Sequence, residues 1–174
     1  MKKLVIVLSI VMLIIVNSKT NNEIIIPNDA IRIRVIASSN TDFDQKIKKD
    51  VKETLQQRLN TILKDAKNIE EVREILNNNL KGIDFTVEKI LEKNKIEPVF
   101  HTTYGLNYFP PKEYKGITYE EGYYESLVVT LGKGEGDNWW CVLFPPLCLM
   151  ESTEEKIEEV EYKSFIKEIL DKYL

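Results

Sequence analysis

An α+β fold, a mostly antiparallel sheet with two to three helices packed on one face, is what this sequence predicts, and three observations carry the prediction. Residues 31–37 carry β-branched side chains throughout and at first alternate. Residues 42–91 repeat apolar side chains at three- and four-residue steps, and from Ile96 the period changes to two. The order of strand, then helices, then three strands gathers the helices on one side of the sheet. At 174 residues, 43% hydrophobic and 30% charged, the chain is one ordinary domain with ample core material. A formal net charge of -4 gives a nucleic-acid partner no electrostatic support.

Taken in order, the chain opens with a basic Met1-Lys2-Lys3 and an apolar run from Leu4 to Val16, broken only by Ser9. That run is shorter than the roughly 20 residues a membrane-spanning helix needs, so residues 1–18 read as an export signal cut after Ser18, with an uncleaved anchor as the alternative. Residues 19–30 form a polar tether that ends in an edge-type segment, Ile24-Ile25-Ile26-Pro27. The domain proper is expected over 31–150. Its first core strand is Ile31 to Ala37, where Arg32 and Arg34 alternate with Ile31, Ile33 and Val35.

Asp42 and Gln45 have capping-box spacing, and Ile47, Val51, Leu55, Leu59, Ile62, Leu63 and Ala66 then mark one stripe of a long amphipathic helix. Asn68 and Glu71 repeat the cap-plus-acid spacing before a second helix through Val72, Leu76 and Leu80. Gly82 allows a break, with a third, shorter helix beyond it through Ile83, Val87, Ile90 and Leu91. The alternation around Phe100, Thr102 and Tyr104 predicts a strand closed by Gly105, and the tyrosine-rich stretch from Phe109 to Tyr123 predicts turns. Tyr124 to Leu131 is a strand apolar enough to be buried on both faces. A glycine loop, Gly132 to Asn138, then leads into Trp139 to Phe144, which reads as the returning strand of a hairpin. Residues 151–174 begin acidic and end at helical spacing, an amphipathic helix that docks on the domain, a partner or a membrane surface.

The candidate chemistry is sparse. His101 is the single histidine, set in a strand pattern where a packed or surface role outweighs a catalytic one. With Cys141 and Cys148 it falls one ligand short of a zinc site, so no metal and no cofactor is expected. The loop Gly132-Lys133-Gly134-Glu135-Gly136-Asp137-Asn138 lacks the Ser or Thr after lysine, and the following helix, that a phosphate loop requires. In an exported chain Cys141 and Cys148 suggest a disulfide that would contribute roughly 2–3 kcal/mol, the alternative being two buried thiols. Trp139 and Trp140 must point to opposite faces of their strand, so one can anchor the core while the other, beside the stiff Pro145-Pro146 corner, meets a partner.

On these residues the chain resembles a known family. Ile31 to Ala37 with the following Ser/Asn/Asp-rich turn and Asp44-Gln45, Gly122 with Tyr124, and above all GKGEGDNWWCVLFPPLC at Gly132 to Cys148 are similar to stage II sporulation protein R of endospore-forming Firmicutes. The resemblance covers about Pro27 to Cys148. It implies a secreted signalling protein, without catalysis of its own, made in the forespore and exported into the space between the two membranes. There it triggers the membrane-embedded aspartic protease that matures the sigma-E precursor, the sigma-E factor processing peptidase. Under that implication the Trp139 to Cys148 corner, with Pro145 and Pro146, and the Arg32/Arg34 strand would contact the extracytoplasmic part of the protease. Peripheral membrane contact would fall to the C-terminal helix. An envelope hydrolase, or a wall- or membrane-binding structural module, are the competing classes.

Overall fold

Strand β1, Ile31–Ile36, runs through the middle of a computed structural model that describes residues 30–114, 117–147, 167–169 and 171–172. The expected export signal, all but the last residue of the tether, Cys148 and most of the expected C-terminal helix lie outside the described residues. Helix α1 spans Asp42–Leu63 and α2 spans Ile69–Lys93. They are followed by β2 (Phe100–Phe109), β3 (Lys112–Tyr114), β4 (Ile117–Tyr119), β5 (Gly122–Leu131) and β6 (Asn138–Phe144). Residues 167–169 and 171–172 are helical as well, with Ile169 buried.

The main sheet has the order β2-β5-β1-β6, and β3 pairs with β4 in a separate small hairpin. β2 and β5 are antiparallel over ten residues, from Phe100 opposite Leu131 to Phe109 opposite Gly122. β5 and β1 are parallel, and β1 and β6 antiparallel with a register shift between Ile31 and Arg32. The sheet is thus mixed, two of its three pairings being antiparallel as expected.

The expected hairpin of the last two strands is not formed, because β1 lies between them. Six residues separate Leu131 from Asn138, enough to cross the roughly 10 Å occupied by an intervening strand, which a two-residue turn could not do. The crossing is stitched to the end of β1. Glu135 N–H donates to Ser38 O, Gly136 N–H to Ala37 O, and Ala37 N–H to Asp137 O. Gly132 and Gly134 take positive φ, and a Cβ on Gly136 would collide with the Ser39 carbonyl, so the loop needs its glycines for this close crossing.

Alternation in β1 and β5 aims Ile31, Ile33, Val35, Leu127, Val129 and Leu131 at one face, where they join Ile47, Val51, Leu55 and Leu59 of α1 and Val72, Leu76, Ile83 and Val87 of α2 in a single apolar core. Full burial of each such side chain contributes about 1.5–3 kcal/mol. Two caps set the helices. Thr41, one residue before the expected Asp42, accepts from Asp44 N–H at 3.2 Å, while Asn68 accepts from Glu71 N–H at 2.9 Å as the spacing predicts.

Gly82 does not break α2, which continues to Lys93 as one helix. A Cβ at this position would fall on the Arg58 guanidinium of α1, so the glycine makes room for a neighbouring side chain. Gly105 likewise does not close β2, since the ladder with β5 runs on through Ser126 and Glu125. The tyrosine-rich stretch, expected as turns, contains β3 and β4.

Candidate functional site

The alternation that sends Ile31, Ile33 and Val35 to the helices sends Arg32 and Arg34 to the opposite face of the sheet. Arg32 is 2% exposed, with its guanidinium carbon 3.3 Å from the centre of the Tyr124 ring. Phe109 and Tyr119 complete its surroundings at 5.6 and 5.9 Å. Arg34 lies 5.7 Å from Phe109 and donates from Nη1 to Tyr108 O at 3.3 Å. Nε and Nη1 of Arg32, and Nε of Arg34, are buried without a hydrogen-bond partner. Burial lowers the pKa of both guanidiniums from the ordinary arginine value, and at Arg32 the Tyr124 hydroxyl partly offsets this. Aromatic quadrupoles thus hold these two charges where carboxylates would be usual.

Trp140 closes the cluster. It stands opposite Arg34 in the β1–β6 register, with ring centres 5.1 Å from Phe109 and 5.9 Å from Tyr119, and the Lys112 ammonium 5.0 Å above its ring. Phe109 in turn meets Tyr124 edge-on at 6.1 Å. Four rings in series, Tyr124, Phe109, Trp140 and Tyr119, carry three cationic side chains on one side of the sheet. The floor beneath them is satisfied, since the Asn107 amide donates to Ser126 Oγ and Ser126 Oγ donates to Tyr124 O. Such a surface is fixed before any partner arrives, so little side-chain entropy is lost on contact.

Trp139 takes the other face, as period two requires. It packs on the aliphatic core, with the Lys52 ammonium 5.3 Å from its ring. Both tryptophans are half-buried, so neither stands fully free. The proline corner is also packed. Pro145 follows a cis peptide and is buried, Pro146 is half-buried, and Leu147 N–H donates to Pro145 O. Cys141 lies half-buried against the helix-side core, and its expected bridge partner Cys148 falls outside the described residues.

Structure thus brings Arg32, Arg34 and Trp140 together, sets Trp139 on the far side of the sheet, and places Pro145 and Pro146 at the end of β6. His101 is exposed on β2 opposite Thr130. Among the described residues no group of three or more His, Cys, Asp or Glu could hold a metal ion, and no helix is long and apolar enough to cross a membrane. Sequence reasoning missed Phe109, Lys112, Tyr119 and Tyr124, although the unusual density of tyrosines between 104 and 124 was the available sign. It also missed a second polar centre on the helix side. There Arg73 of α2 donates to Glu125 from Nε and Nη2, at 2.8 Å for the latter, and the Tyr104 hydroxyl donates to the same carboxylate at 2.6 Å. Burial pulls Glu125 up, but the hydrogen bonds from Arg73 and Tyr104 and the charge of Arg73 outweigh it and leave the carboxyl below its usual range.

As a class, then, the molecule is an α+β domain that buries aliphatic residues under two helices and presents a preformed cationic and aromatic surface on its other side. The family profile described as stage II sporulation protein R matches residues 27–154. The stage II sporulation protein R of Bacillus subtilis (strain 168) is 36% identical over 155 residues, which is 88% of this chain and 69% of that protein. The chain belongs to the stage II sporulation protein R family. No solved structure gives a significant match.

Proposed function

We propose that this protein is an exported signal of sporulation that binds the extracytoplasmic part of a membrane-embedded aspartic protease, the one that processes the sigma-E precursor, and favours its active assembly. It acts as a ligand and not as an enzyme, in the space between forespore and mother cell, and needs no cofactor. Family membership supports the role in sporulation. The single observation that carries the recognition reading is the surface formed by Arg34, Trp140 and Lys112, with Arg32 fixed beneath it among Tyr124, Phe109 and Tyr119. Tryptophan and arginine are the side chains most enriched at the energetic centres of interfaces, and here both are held by neighbours before binding.

A ligand shifts a receptor only by its differential affinity for the receptor's active state. The desolvated guanidinium of Arg34 fits a carboxylate of the receptor, and Trp140 supplies apolar contact beside it. The test is co-expression of this chain, the candidate protease and its precursor substrate in a host that does not sporulate. Cleavage that requires this chain, and that is lost when residues 1–18 are deleted, is the expected result. Cleavage indifferent to the chain would overturn the proposal.

A further inference from the structure

Strand β2 ends the sheet on the side away from β1, and its outward edge is open among the described residues. Natural edge strands guard themselves with lysines, prolines, bulges or short length. β2 has none of these. It is ten residues long, pairs with β5 throughout without a register shift, and contains no charged residue and no proline from Phe100 to Phe109, in a chain that is 30% charged. Beside that edge lie three large side chains that the helices leave uncovered, Leu106 at 74% exposure, Tyr123 at 72% and Tyr108 at 49%.

We infer that this edge is a self-association surface, on which β2 of a second copy pairs antiparallel to β2 of the first. The inference is independent of the reading of the Arg34–Trp140 surface. The occupant follows from the strand itself. Pairing about a two-fold axis perpendicular to the sheet keeps each side chain on its own face, so residues of equal parity must meet. Centred on Tyr104, the register sets Phe100 opposite Tyr108 of the second copy, Thr102 opposite its Leu106, and Tyr104 opposite its own counterpart. On the other face His101 meets Asn107 and Thr103 meets Gly105. The larger apolar groups sit at the two ends of β2 and the threonines between them, so the start of one strand covers the end of the other, twice. Two acidic chains repel least where the meeting strand carries no charge of its own, and β2 carries none. Of the carboxylates beside it, Glu125 under Tyr104 is neutralised by Arg73 and Glu121 is held by the Tyr108 hydroxyl. The product is an eight-stranded sheet whose two Arg34–Trp140 surfaces face the same way.

The test uses the full chain in its exported form, followed by sedimentation equilibrium and by amide hydrogen exchange of residues 100–109. The expected result is two chains per particle, with exchange of those amides slowing as concentration rises. Leu106→Lys and, at the other end of the seam, His101→Lys replace exposed side chains and leave the fold intact by near-ultraviolet dichroism. Each weakens association roughly tenfold or more, because each buries an unpaired ammonium at the seam. Leu106→Val keeps the association. A wild-type chain that stays single at its highest soluble concentration overturns the inference, as does pairing that both lysine variants leave unchanged. Amides of 100–109 that gain protection only when a different protein is added would make the occupant another protein's strand, and would equally overturn it.

Discussion

Arg73 and Arg32 sit on opposite faces of the same sheet and are held in opposite ways. Arg73, on the helix side, meets Glu125 through two donor nitrogens, and that hydrogen bond raises its pKa above the ordinary arginine value. Arg32, on the other side, is more deeply buried, has no carboxylate partner among the described residues, and has its pKa lowered by burial. The helix face is an aliphatic core whose one carboxylate–guanidinium centre is fully paired, although Arg58 Nε, Asp84 Oδ1 and Thr102 Oγ1 are buried there without a hydrogen-bond partner. On the other face the charge of Arg32 is retained by Tyr124, Phe109 and Tyr119 and not neutralised by them, beneath the half-buried Arg34. A cation held that way still attracts an anion, and the proposed recognition by the second face rests on that difference.

The largest effect that sharpens this contrast is on the helix face. Leu55→Ala, at a fully buried position, should cost about 3 kcal/mol in a urea unfolding titration. Signalling should fall only as far as the folded population does. On the other face, Arg32→Ala should cost about 2 kcal/mol through lost ring contact and lost packing of the stem. Arg32→Met should cost little, since replacing a buried charge by an apolar side chain of similar length is often neutral. The contrast breaks if the methionine variant is the less stable of the two, because Arg32 would then have an ionic partner after all.

A smaller effect belongs to the Arg73–Glu125 pair. Arg73→Ala should cost about 1 kcal/mol at pH 7, a figure kept low because solvent screens the half-exposed guanidinium. Its pH dependence has a fixed sign. Glu125 has a depressed pKa in the folded state, so its contribution is complete above the unfolded glutamate value of about 4.3 and is lost as pH falls through the folded value. Unfolding titrations of wild type and Arg73→Ala should therefore differ at neutral pH and converge as pH falls through the depressed folded value of Glu125. Smaller still, Thr41→Ala should cost about 1 kcal/mol or less by removing the α1 cap, and should leave signalling unchanged.

Much of the helix face was legible in the sequence, because burial under a helix leaves a periodic trace. The stripe from Ile47 to Leu63, the Asn68–Glu71 cap and the doubly buried Leu127–Leu131 run all stand where their spacing placed them. Strand order was not legible. A six-residue loop is compatible with a hairpin or with a crossing over β1, and what decides is the set of backbone bonds from Glu135 and Gly136 to the end of β1, which leave no mark on composition. Gly82 misled for a related reason, since a glycine that makes room for Arg58 looks the same in sequence as one that ends a helix. On the arginine and aromatic face, Arg32, Arg34 and Trp140 were visible as unusual residues in unusual places. Their partners Phe109 and Tyr119 come from the segment read as turns and Tyr124 from the start of the strand after it, and only the folded sheet brings them around the arginines.

The most direct test of the central claim compares Trp140→Ala with Ile47→Val in a sporulating host that lacks its own copy of the protein. Maturation of sigma-E is followed by immunoblot, and secretion and folding of each variant are checked in parallel. Trp140 touches no member of the helix-side core, whereas Ile47→Val removes a methylene from it at a cost of about 1 kcal/mol. The account predicts that Trp140→Ala is exported and folded yet fails to restore maturation, while Ile47→Val restores it. Maturation at the wild-type level with Trp140→Ala would contradict the claim that the arginine and aromatic face is the surface the receptor reads.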